Sequence, residues 1–202
     1  MWFHLELKGK GYEAARSGVA VSDTPTGPYR FIRSGRVNAG KLPFDMDEQA
    51  QATMDTLNAL HYAKWWTPQW VDAVGKGLIL KRDFEGGQMA RDMTVYVDDD
   101  GKAYHIFASE ENLTLHIAEL SDDYLSHTGK YVRVAPAGQN EAPAIFKKDG
   151  MYWMITSGCT GWAPNEARMF SAPSIWGPWT QHPNPCVGPN REITSVAKAR
   201  IF

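Results

Sequence analysis

Cysteine is nearly absent from this 202-residue chain, which carries only Cys159 and Cys186. Two cysteines cannot build a disulfide scaffold, and their spacing matches no zinc motif. The residues leave a bridge between them open, with two buried thiols the expected arrangement. A surplus of either charge is missing too. Lys and Arg number 21 against 23 Asp and Glu, a formal net charge of −2, so neither nucleic acid nor an anionic membrane is expected as a partner. Long hydrophobic runs are lacking: nothing approaches the ~20 apolar residues of a membrane span. The N-terminus shows no basic segment followed by an apolar stretch, so no secretion signal is visible.

Aromatic residues, by contrast, are plentiful, with eight each of Trp, Tyr and Phe. They suit both sheet cores and stacking against the apolar faces of a ligand. The length fits one domain. Its organising stretch is Glu141 to Trp162, where Lys148-Asp149-Gly150 separates two apolar runs. Asp-Gly supplies the positive φ of a tight hairpin. Asp92 to Gly101 repeats the construction about fifty residues earlier, and each hairpin opens with an acid, Asp92 or Glu141. The turn-rich edges recur as well: Asp23 to Tyr29, Ser121 to Leu125 and Ser171 to Trp179. A repeat of this length, built from about four short strands, is the signature of a β-propeller blade. The rival, a β-sandwich, does not return an acid, a hairpin and a turn at matched offsets.

The sequence therefore predicts an all-β fold with about three blades, in copies at 1–37, 91–134 and 141–187. The intervening stretch, about 38–89, is rich in helix formers over 45–63 and 66–74 and reads as a partly helical insertion. Its Trp65, Trp66 and Trp70 either form a sugar-stacking wall or pin the insertion to the sheets, pinning being the commoner use. Asp98-Asp99-Asp100-Gly101 reads as a turn, because it lacks the alternate acids and twelfth-position Glu of a calcium loop. Arg82-Asp83-Phe84-Glu85 reads as a solvated surface stretch.

First strands of propeller blades line a central channel, so Asp92 and Glu141 should converge on one pocket. Two carboxylates flanking a bond are what glycoside hydrolysis needs. Arg91 points to the opposite face of its strand and is as much a structural candidate as a functional one. Trp162, on a loop after Gly161, is the better stacking candidate. Strand alternation places Trp153 opposite Tyr152, more in keeping with a core. His4 is evenly poised between strand packing and substrate contact.

Arg91-Asp92-Met93 with Val97-Asp98-Asp99-Asp100-Gly101, Ser109-Glu110-Glu111-Asn112, Glu141-Ala142-Pro143-Ala144 and Ile155 to Trp162 together resemble glycoside hydrolase family 43, most closely its exo-β-1,3-galactanase and galactosidase branch. The resemblance runs to about Pro189. It implies a five-bladed propeller that hydrolyses glycosides with inversion and needs no metal or organic cofactor. By position it makes Glu141 the general acid and Asp92 the acid that orients it and raises its pKa. Glu110 or Glu111 matches a segment near the sugar subsite, and His4, Trp153 and Trp162 fall among channel-lining residues. The implied activity is exo-hydrolysis of terminal galactose, with arabinofuranose or xylose next, from plant polysaccharide side chains by a secreted or periplasmic protein. A non-catalytic, carbohydrate-binding propeller is the alternative.

Both ends depart from the family's pattern. The family carries a first blade, and the opening strand of the second, before the segment that starts here at Met1. After Pro189-Asn190 it continues with a Gly-Ser-Gln-Ser-Thr strand, whereas this chain runs from Glu192 to Phe202 in an unrelated sequence. Codons permitted for those residues, read two nucleotides later, restore that strand. The expectation is a partial propeller over 1–190 with a frameshifted tail over 191–202, and weak or no activity for the chain as written.

Overall fold

The computed structural model describes residues 1–62 and 64–193; most of the tail predicted to be frameshifted, 194–202, lies outside them. Eleven strands and three α-helices are described. The strands make three antiparallel sheets. The first is β1 (Trp2–Leu5), β2 (Arg16–Val21) and β3 (Arg30–Gly35). The second is β4 (Met93–Val97), β5 (Ala103–Ser109), β6 (Thr114–Leu120) and β7 (His127–Val134). The third is β8 (Asn140–Lys148), β9 (Met151–Gly158), β10 (Ala167–Ala172) and β11 (Thr180–His182). In each, spatial order follows chain order, so the sheets are meanders.

The two predicted hairpins are equivalent elements. Asp92 directly precedes β4 and Glu141 is the second residue of β8, the opening strands of the two four-stranded sheets. Between β8 and β9, Asp149 and Gly150 both adopt positive φ, +52° and +75°, as a two-residue turn matched to strand twist requires. At the β4–β5 turn Asp98 does more than turn the chain. Its carboxylate accepts from Tyr96, Tyr152 and Lys147, tying the second sheet to the third.

The second sheet is the middle layer. Strand alternation aims Tyr104, Ile106 and Ala108 at the third sheet, where they meet Tyr152, Met154 and Phe170. The opposite face turns Phe107, Ala118 and Tyr131 toward Val37 and toward Met54 and Leu80 of the insertion. Both faces are covered, which is why β5 is buried along its whole length. The first sheet joins through Trp2, whose ring stacks on His105 at 5.1 Å and whose indole N–H donates to the Tyr124 carbonyl at 2.9 Å.

The insertion holds α1 (Glu48–Thr56), a 3₁₀ turn at Ala59–His61, α2 (Pro68–Gly75) and α3 (Leu78–Arg82). Thr67 caps α2 by accepting from the Trp70 amide, and Pro68 fills the position whose N–H would be unpaired. The third helix was not foreseen; it is short, and its Leu-Ile-Leu run is buried. Trp70 is 2% exposed beneath Trp65 and Trp66, so this cluster packs the insertion.

Two readings need correction. The stretch around Asp83 is not a solvated surface run: Asp83 is buried, gripped by Arg82 through two 2.8 Å bonds and by Arg36 at 3.2 Å. The two cysteines are thiols, half-buried rather than buried.

Candidate active site

Strand directions decide which loops meet. Asn140 pairs with Gly158, so Glu141 lies at the end of the third sheet that carries the β9–β10 loop. Ala108 exchanges backbone bonds with Arg91 and Asp92, which puts Asp92 at the end carrying the β5–β6 turn. Arg91 also donates to the Tyr12 carbonyl at 3.0 Å, bringing the β1–β2 loop to the same place. Asp92, Glu141 and three hairpin loops thus share one end of the molecule.

Glu141 is buried, 7% exposed. It is aimed by an irregularity: pairing shifts register between Glu141 and Ala144, with Ala142 at φ +48° and Pro143, which has no N–H to pair, inside the shift. Its Oε1 accepts from the Asn112 side-chain amide at 2.7 Å. The Asn112 carbonyl accepts the Cys159 thiol at 3.3 Å, joining the β9–β10 loop to the β5–β6 turn. That turn is Glu110-Glu111-Asn112, three non-glycine residues in succession with φ of +50°, +61° and +64°.

Its side chains diverge. Glu111 bridges Arg91 at 2.9 Å and Arg82 at 3.0 Å. Arg82 continues through Asp83 to Arg36, so one ionic chain connects the first sheet, the insertion and the turn. These groups, with Tyr12, Glu13 and Met89, line a cleft of about 340 Å³. Glu110 turns inward: it is wholly buried, takes bonds of 2.7 Å from both Arg133 Nε and Nη2, and accepts from His116 Nε2 at 2.9 Å. Burial by itself would raise its pKa, but the Arg133 charge and the His116 bond hold it down at about 2. An ionised Glu110 only accepts, so His116, kept neutral by burial, donates through Nε2.

Of the predicted site residues, Asp92, Glu141, Glu111, His4 and Trp162 lie at this end. His4 Nε2 contacts Glu6 Oε1 at 2.6 Å, and Glu6 also accepts the Ala14 and Ala15 amides, so His4 helps close the β1–β2 loop. Trp162 is 90% exposed on the β9–β10 loop. Two residues lie elsewhere. Trp153 sits mid-strand on the open face of the third sheet, its ring 5.7 Å from that of His182. Glu110 lies beneath the cleft with its carboxylate fully engaged. Asn112 is not among the predicted site residues, because an Asn following two acids carries no signal of its own. Among the described residues no three His, Cys, Asp or Glu side chains are grouped to hold a metal ion.

Asp92 and Glu141 thus stand at the starts of equivalent strands, at the same end of the molecule as a loop-walled cleft. Residues 44–199 match the glycosyl hydrolases family 43, and the chain belongs to that family. It is 63% identical to a family 43 β-1,3-galactosidase solved with galactodeoxynojirimycin, at a TM-score of 0.92 over 96% of this chain and 56% of that one. An exo-β-1,3-galactanase from Clostridium thermocellum is 34% identical, TM-score 0.65, over 91% of this chain and 32% of that one. A β-D-galactofuranosidase of Aspergillus niger is 29% identical over 119 residues, 57% of this chain and 34% of the relative. The chain therefore spans little more than half of the first of these relatives and about a third of the other two.

Proposed function

We propose that this chain belongs to an inverting exo-glycosidase, its three sheets acting as blades of a five-bladed propeller, which removes terminal galactose from plant polysaccharide side chains outside the cytoplasm. The observation that carries the reading is the pairing of Asp92 and Glu141 at the starts of equivalent strands, at the end where the loops gather. Glu141 protonates the departing glycosidic oxygen. Asp92 orients it. Inversion places the attacking water on the far face of the sugar, activated by a group on that side. Galactose is favoured over arabinofuranose and xylose because the 63% identical relative is described as a β-1,3-galactosidase.

Glu141→Gln in the complete protein tests the assignment. Turnover of a β-1,3-linked galactobiose should vanish while calorimetric binding of galactodeoxynojirimycin persists; near-normal turnover would refute the acid role. A carbohydrate-binding, non-hydrolytic propeller is favoured by one feature, the 90% exposed Trp162. It predicts galactose binding that Trp162→Ala abolishes, with no monosaccharide released from an aryl galactoside.

A further inference from the structure

The turn that presents Asn112 to Glu141 is built against the preferences of its own backbone. Left-handed backbone suits glycine and is tolerated by asparagine, but two glutamates precede Asn112 in the same conformation. Such a run persists only where its surroundings over-determine it. Backbone bonds close it: the Leu113 amide donates to the Ser109 and Glu110 carbonyls at 3.0 and 3.2 Å, and the Gln139 amide to the Leu113 carbonyl at 3.0 Å. The first residue of the run is the most firmly held. Glu110 accepts both Arg133 bonds and the His116 bond, and Arg133 is itself fixed by the Val74 and Gly75 carbonyls at 2.9 and 3.0 Å. Glu110 does not line the cleft.

We propose that Glu110 is a positioning residue: clamped by Arg133 and His116, it holds the left-handed turn that delivers the Asn112 amide to Glu141 Oε1. The inference rests on the acid role of Glu141 proposed above. It makes the end of α2, through Arg133, part of the support of the reacting carboxyl. An amide held on Oε1 leaves Oε2 as the oxygen to carry the transferable proton. Loosening the turn therefore harms proton delivery more than sugar binding.

Two readouts test this in the complete protein. In ¹⁵N-labelled protein, the Asn112 side-chain amide, assigned by its loss in Asn112→Gly, should exchange slowly. Glu110→Gln should speed that exchange by about tenfold or more, as for an amide released to water. Since Glu110→Gln leaves Arg133 without its partner, the double variant Glu110→Gln/Arg133→Met, which removes both charges, is compared beside it. In either folded variant, release of galactose from unactivated β-1,3-galactobiose should fall by about tenfold or more, with KM little changed. Release from 2,4-dinitrophenyl galactoside, whose leaving group needs no proton, should stay within about threefold. Equal losses on both substrates, or an unchanged Asn112 amide, would overturn the proposal. A complete wild-type protein that releases no galactose from either substrate counts against the hydrolase reading alone, and the amide exchange still decides whether Glu110 holds the turn.

Discussion

Glu110 and Glu111 are neighbours in sequence with opposite fates. One side chain enters a sealed ion pair and the other an open ionic chain along the cleft. The pair with Arg133 is sealed because α2 ends directly over it, its last carbonyls accepting from the guanidinium. Removing the cation alone should therefore be severe. Arg133→Met is expected to lower stability by about 3–5 kcal/mol, since it strands a buried carboxylate, and a urea titration reads this as an earlier midpoint. Breaking Glu111 from Arg82, whose side chain is 34% exposed, should cost no more than about 1 kcal/mol. The sequence could not separate these fates. Two adjacent acids read alike until the turn's handedness is known, and nothing in Glu-Glu-Asn announces three left-handed residues in a row.

At the scale of the element, the hairpins were legible because their signals are local. Asp149-Gly150 dictates a turn by backbone geometry, and an acid at the start of each opening strand marks the repeat. The insertion was legible only in part. Its first two helices carry capping residues, Asp47 and Thr67, that accept from Ala50 and Trp70. The third, Leu78–Arg82, is a buried apolar run too short for its period to tell helix from strand. Trp70 holds these helices in one packet with Val74, Leu78 and Ile79, and Leu113 from the β5–β6 turn packs into the same cluster. Trp70→Ala should therefore cost about 3–5 kcal/mol. The loss should be felt beside the candidate site first: amide exchange at Leu113 should quicken before exchange in β9 does. Uniform quickening across both would show that the insertion does not support the turn separately.

Across the whole molecule, acid pH acts through buried groups of one sign. Burial pushes His105 well below its usual range and lowers His116, while burial and the Arg33 charge bring His127 to about 4. These histidines are neutral when folded, and the unfolded chain protonates them near 6.5, so stability present at neutral pH is lost as pH falls through 6.5 toward 4. His127 alone accounts for about 2 kcal/mol between pH 7 and pH 5. Glu110, held at about 2, adds a second loss with the same sign between about pH 4.5 and pH 2. A thermal melt series should show Tm falling in these two stages, and a Tm independent of pH from 7 to 4 would contradict the buried histidines.

The meander order of the sheets has a consequence in time. Within each sheet every strand pairs with the next along the chain, so each sheet needs only short loops to close and none waits for a distant partner. On a ribosome the first sheet can zip up before the insertion is made, and the second before the third emerges. The Glu110 turn can also form early, because Arg133 follows it within the same sheet. The Asn112 bond to Glu141 comes after both, when β8 arrives. Assembly can thus run from scaffold to site, the Asn112–Glu141 bond forming after the turn that presents it.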